Sequence, residues 1–210
     1  MILTPIAFAD LPAVLDRFAA NLAEDPFATA VFRRIRESLP PSGDTGDAEQ
    51  QRRQAVELAA AMGIPTIDEE PAAAFSWDGH AIRTRSEPSV VIHEIAHWQL
   101  SPPERRALYD FGLGAGPETG LRAEADAQRA LDDETAWDEE NLTSLLGILW
   151  EVELGQPGLL AFLEQNWLEG HERPAAAEAF SRQLRRLRAA GFVDAEGHPT
   201  HASRATGQAV

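Results

Sequence analysis

Val90-Val91-Ile92-His93-Glu94-Ile95-Ala96-His97-Trp98 places two histidines four residues apart within an apolar run. Read as a helix, residues i and i+4 stand on one face, so both imidazoles can turn a nitrogen toward one ion about 2 Å away. The neighbours Val91, Ile92 and Ile95 predict a buried setting, where imidazoles without partners are costly. Glu94, beside the first histidine, reaches the outer side of such an ion and is the candidate catalytic base for a water attacking there. The pattern predicts a helix over residues 90–100 that holds one divalent metal ion.

Two histidines do not complete the site, because catalytic zinc and the iron facial triad usually take a third protein ligand. The chain contains no cysteine, so the donor must be nitrogen or oxygen. Among the other histidines, His80 lies in or beside a turn within conceivable reach, while His171, His198 and His201 fall in a loop or in the tail. Downstream acids are more numerous: Glu118, Glu124, Asp132, Asp133, Glu134, Asp138, Glu139 and Glu140. A helix expected over 139–154, with Leu142, Leu145, Leu146, Leu149 and Val152 on its apolar side, is the best packing partner for helix 90–100. Its first turn carries Glu139 and Glu140, the two leading candidates, with Glu124 and Glu134 in reserve. Periodicity favours Glu139, which shares a side with Leu142 and Leu146, and leaves Glu140 one position round. Trp98, Tyr109 (the only tyrosine) and His80 are the candidate pocket residues.

Working outward, residues 10–22 form an amphipathic helix entered at Asp10, and Asp25-Pro26 starts a second one through Phe27, Val31, Phe32 and Ile35. Residues 39–46 read as a loop, 48–62 as a third helix and 65–72 as a break rich in proline and acids. Residues 73–85, with Phe75 and Trp77 on alternate positions and a turn at Asp78-Gly79, read as a hairpin. Ser101 and Glu104, with Pro102 between them, predict a capping box opening a helix to about Tyr109. The glycine-rich stretch 111–120 reads as a loop without the spacing of a phosphate cradle. A last helix spans about 174–190. The fold class expected is α+β, mainly helical, with a zincin-like metal-binding helix and a small β-sheet or hairpin. One domain over residues 1–193 precedes a flexible tail over 194–210.

The 34 acids outnumber the 18 bases, all of them arginine, for a formal net charge of -16. Such a surface repels nucleic acid and anionic lipid, and its excess of acids suits either solubility or the steering of a basic substrate. The N-terminal stretch lacks the basic region of a signal peptide, and the apolar runs fall short of the roughly 18 residues of a membrane span. No membrane association and a cytoplasmic location are the expectations.

His93-Glu94-Ile95-Ala96-His97-Trp98, followed by Glu104-Arg105-Arg106 and Asp110-Phe111-Gly112, resembles the elongation factor P hydroxylase family of bacterial metalloproteins. Weaker likeness extends to Glu24-Asp25-Pro26-Phe27, Gly155-Gln156-Pro157, Asn166 and Phe180-Ser181-Arg182. The resemblance implies a metal held by the two histidines and a carboxylate, and oxidation of a lysine-derived side chain on elongation factor P or another protein substrate. On the family pattern the acid falls nearest Glu140, with Glu139 adjacent. The chain departs from that pattern at Arg83-Thr84-Arg85-Ser86-Glu87-Pro88 and at Gly116-Pro117-Glu118-Thr119-Gly120. The motif taken alone points elsewhere, to zinc-dependent peptide hydrolysis with Glu94 as general base. A non-catalytic, metal-stabilised interaction domain is the third alternative.

Overall fold

The protein was analysed as a computed structural model, which describes residues 6–40, 43, 45–72, 77–116, 121–208 and 210. The helices are α1 (Leu11–Asn21), α2 (Pro26–Glu37), α3 (Ala48–Ala61), α4 (Pro88–Leu100), α5 (Arg122–Ala127), α6 (Asp133–Glu153), α7 (Gly158–Glu164) and α8 (Pro174–Ala189). Between α3 and α4 lie two short strands, β1 (Thr66–Ile67) and β2 (Ile82–Arg83). A mostly helical fold with a small two-stranded sheet is therefore what the chain adopts. Among the described residues, no helix is long and apolar enough to cross a membrane.

Two compact units divide the chain. One comprises residues 1–45 and 148–200, the other residues 46–147 and 201–210. In the first, α1 buries Leu11, Val14, Leu15 and Phe18, a stripe at helical spacing, and α2 buries Ala28, Val31, Phe32 and Ile35. Asp25 caps α2 by accepting the Ala28 N–H at 3.1 Å. Phe18, Phe32, Phe162 and Phe180 meet at ring separations of 4.8 to 6.3 Å, mostly edge to face or tilted, and form this unit's core.

The second unit is built around α4. Val91, Ile92, Ile95, Ala96 and Leu100 are all buried, so the helix is covered on most sides, with α3 packed along it. Pro88 sits in the first turn, where its missing N–H costs nothing. The carbonyls at the other end find partners in two arginines and a backbone amide. Arg106 Nε donates to Trp98 O and Ser101 O, Arg204 Nη1 to Leu100 O, and the Arg204 N–H to Gln99 O. Gln99 Nε2 returns a bond to Ala202 O at 2.7 Å. Cations at a helix C-terminus also oppose its dipole.

Several expectations need correction. The sheet is parallel, Thr66 pairing with Ile82 and Ile67 with Arg83, so β1 comes from the segment read as a break and β2 from the segment read as a hairpin. The Asp78-Gly79 turn is present: Asp78 Oδ1 accepts from the His80 and Ala81 amides, and Trp77 bridges Ile82 in antiparallel fashion. The rest of the proposed first arm, residues 73–76 with Phe75, lies outside the described residues. Instead of a capped helix from Ser101 to Tyr109 there are single 3-10 turns at Pro103–Arg105 and Tyr109–Gly112. The cause is Pro103, which forces Pro102 into extended backbone (ψ 154°), so Ser101 ends α4 and caps nothing. Helix α6 begins six residues before the expected start, because Asp132 Oδ1 accepts the Thr135 amide and opens the helix there. Helices α5 and α7 had no counterpart in the sequence reading. The segment after Val193, read as a tail, carries a Val193–Pro199 bridge and the Arg204 bonds above.

Gly112 has φ +74°, and a Cβ there would stand 2.9 Å from Leu108 Cδ1 and 3.0 Å from Ala130 Cβ. Left-handed backbone and overpacking together make Gly112→Ala destabilising by about 2 to 4 kcal/mol. Gly63, φ +71° with nothing within 4 Å of a Cβ, bears only the backbone penalty as alanine. Urea denaturation of the two variants should rank them in that order.

Candidate metal centre

Helices α4 and α6 pack antiparallel at the site: Thr143 Oγ1 lies 3.2 Å from His97 Nδ1, and Gly147, one turn further along α6, lies against the His93 backbone. A Cβ on Gly147 would stand 3.6 Å from His93 Cα, ordinary contact distance, so α6 runs within side-chain reach of the His93 backbone. One turn before Thr143, Glu140 turns its carboxylate between the imidazoles. Oε1 is 3.0 Å from His93 Nε2 and Oε2 is 3.2 Å from His97 Nε2. The imidazole rings stand edge to face, 4.6 Å apart.

These three residues are the group among the described residues able to hold a metal ion, their donor atoms all lying within 4.8 Å of one another. Donors about 2.1 Å from a common ion stand roughly 3.0 to 3.4 Å apart, so the observed separations fit a single ion. The side chain of His97 is 4% exposed, that of His93 22% and that of Glu140 45%, so the group opens to solvent on the Glu140 side. With Nε2 directed at the ligand point, His97 Nδ1–H donates to Thr143, which sets the ring orientation. A buried orphan atom also marks the place: Glu94 Oε2 has no hydrogen-bond partner among the described residues.

Glu139, favoured by periodicity, is not part of the group. It is buried against Arg105, whose Nη2 donates to both carboxylate oxygens at 2.5 and 2.6 Å, and Arg204 adds a longer contact of 3.5 Å. The two glutamates point about 100° apart on α6, so one meets the imidazoles and the other the guanidinium groups. Because α6 starts at Asp133, both sit inside regular helix, where adjacent residues cannot share a target. Glu124 and Glu134 are exposed, and Glu118 lies outside the described residues. Of the candidate pocket residues, His80 is exposed on its turn, and Trp98 carries the Arg106 guanidinium over its ring at 3.9 Å. Tyr109 is half-buried, its amide donating to Gln128 Oε1.

Asp110 is the site residue that sequence reasoning missed. It is buried, and both it and Phe111 adopt left-handed backbone (φ 46° and 52°), a conformation costly to side chains other than Gly, Asn and Asp. Arg105 Nη1 donates to Phe111 O and ties this turn to the arginine that holds Glu139. Phe111 in turn stacks on His97 at 5.4 Å and on Trp77 at 5.1 Å, closing that flank of the histidine to water. No periodicity encodes a left-handed pair; Asp110 entered the reading only through its spacing from the histidines.

Three carboxylates thus converge on two imidazoles. Burial pushes the Asp110 carboxyl up to about 9, reinforced by the charges of Glu94 and Glu140. Burial raises Glu94 as well, against the pull of both histidines. For His93, burial disfavours the charged ring, but Glu140 outweighs it and holds the imidazolium up at about 9. Glu140 shows the reciprocal effect: burial opposes its charge, yet the two imidazoles keep its carboxyl well below the usual range. Protons compensate the charge that a divalent cation would compensate by displacing them.

A scan against protein-family models found no match for the chain, and the searches of curated proteins and of solved structures likewise returned none.

Elemental analysis of the purified protein should find about one divalent ion per chain, absent from His93→Ala, His97→Ala and Glu140→Ala. Glu139→Gln should retain the ion, because that side chain faces arginine instead. Arg105→Ala, which strips the pair from a buried Glu139, should cost about 3 kcal/mol or more in denaturant melts.

Proposed function

We propose that the chain is a metal-dependent enzyme of the elongation factor P hydroxylase type, oxygenating a protein side chain at the His93–His97–Glu140 group with iron as its metal. One observation carries the reading. The resemblance points to Glu140 as the acid, against the periodicity of the helix, and Glu140 is the carboxylate between the imidazoles. Two histidines and one carboxylate suit iron with coordination positions to spare for dioxygen. The surrounding residues have separable tasks. Thr143 orients His97, the Trp77–Phe111 stack excludes water, and Glu94 Oε2 is the buried atom free to accept or return a proton. That unpartnered oxygen equally suits a zinc-dependent peptidase with Glu94 as general base, which is the second reading.

Anaerobic loading with ferrous iron or with zinc, followed by air and mass measurement of elongation factor P, separates the two. With a two-electron reductant added, a gain of one oxygen with iron and not with zinc is the expected result, the second atom of dioxygen leaving as water. Peptide cleavage with zinc, indifferent to oxygen and lost in Glu94→Gln, would reverse the ranking. Silence in both assays withdraws both proposed reactions and leaves the metal group alone standing, with the altered border at residues 83–88 open to a different substrate.

A further inference from the structure

One turn before Glu140, helix α6 exposes Trp137. At 62% it is the most exposed of the large apolar side chains among the described residues. Isolated apolar residues on a surface are ordinary, but an indole left in water forgoes a large burial, and its setting here is specific. Residues three and four apart share a helix face, so Asp133 and Glu134 stand one turn before Trp137 and Glu140 and Asn141 one turn after it. Asp133 and Glu134 are both exposed. Asp133 is engaged by Arg129, whereas no ion pair involves Glu134 among the described residues. Asn141 Nδ2 donates to Trp137 O at 2.8 Å and ties the stripe together. The metal group opens to solvent at Glu140, the end of this same stripe. An aromatic face with the Glu134 carboxylate a turn away is a receptor for a side-chain cation, combining the ring quadrupole with charge attraction. The net charge of -16 repels nucleic acid and acidic partners and draws in basic ones.

We propose that the α6 stripe Glu134–Trp137 is the docking face for a basic segment of a partner protein, an arginine or lysine of which lies over the Trp137 ring while the segment runs on toward the metal group. The inference rests on the reading of that group as a site acting on a protein side chain, and it supplies the charge character of the substrate.

The test is fluorescence anisotropy with the full chain at physiological salt. The probes are a labelled peptide alternating arginine or lysine with glycine and a matched peptide carrying glutamate. The basic peptide should bind and the acidic one should not. Trp137→Ala, which leaves the protein's charge unchanged, should weaken binding about five-fold, with Trp137→Phe closer to wild type. Metal content should be the same in both variants as in wild type. Equal binding by wild type and Trp137→Ala overturns the proposal, as does a basic peptide that binds no better than the acidic one. In His93→Ala the peptide should still bind although the metal is lost. A metal-free wild type that binds the peptide therefore fails the reading of the centre and spares the docking face, and a metal-loaded wild type that ignores it does the reverse.

Discussion

Buried negative charge must be compensated, and the arrangement around α4 and α6 follows from how that is done. The chain carries 18 arginines and directs two of them to Glu139, yet none of the described residues offers a guanidinium to its neighbour Glu140. Glu139 is treated as a structural acid: it is paired, buried and bound through both oxygens. Glu140 is left with two imidazoles, and its charge holds the His93 ring protonated. Glu94 and Asp110 then add two further carboxylates to a place that already holds an excess. Burial without arginine is the signature of acids kept for a cation or a substrate, since a pair serving only stability is cheaper to replace by apolar groups.

The arginine that neutralises Glu139 also shapes the backbone beside the histidines. Arg105 spends one nitrogen on the carboxylate and another on Phe111 O, so the left-handed Asp110–Phe111 turn is held by the same side chain that anchors α6. Strained backbone persists only where its surroundings over-determine it. Here those surroundings are Arg105, the close approach of Gly112 to Leu108 and Ala130, and the stack of Trp77, Phe111 and His97. The flank of His97 away from the acids is thus apolar and fixed, and the solvent-facing flank at Glu140 is polar and open.

The histidine pair was legible because i, i+4 spacing on an apolar helix is a local signal that survives any tertiary context. The choice between Glu139 and Glu140 was not, because it depends on the rotation of α6 about its axis. That rotation is set by the packing of Thr143 and Gly147 on α4, which a period count cannot see. A start expected at residue 139 puts both acids in a first turn, whereas the helix begins at Asp133 and holds them in its regular interior. Asp132 was the available clue, an N-cap residue hidden in a run of acids. Asp110 was beyond reach for a different reason: consecutive left-handed residues have no pattern, only a stabilising environment assembled from distant parts. The sheet failed similarly, its partner strand being two residues long in a segment whose composition argued against any strand.

Arg204 reaches Glu139 across 65 positions of chain, and Gln99 reaches Ala202 across 103. During synthesis the histidine helix emerges first and the first half of α6 follows, with Arg105 already made when Glu139 appears. The clamp on their carbonyls arrives only after the whole of residues 148–200 has been made. At 5 to 20 residues per second that is a delay of roughly three to ten seconds. Over that interval the carbonyls of Gln99 and Leu100 lack their final donors, and the second compact unit is a nascent state missing its last tie. Chain order therefore imposes a timetable on the centre, in which the ligands are in place before the bonds that lock them.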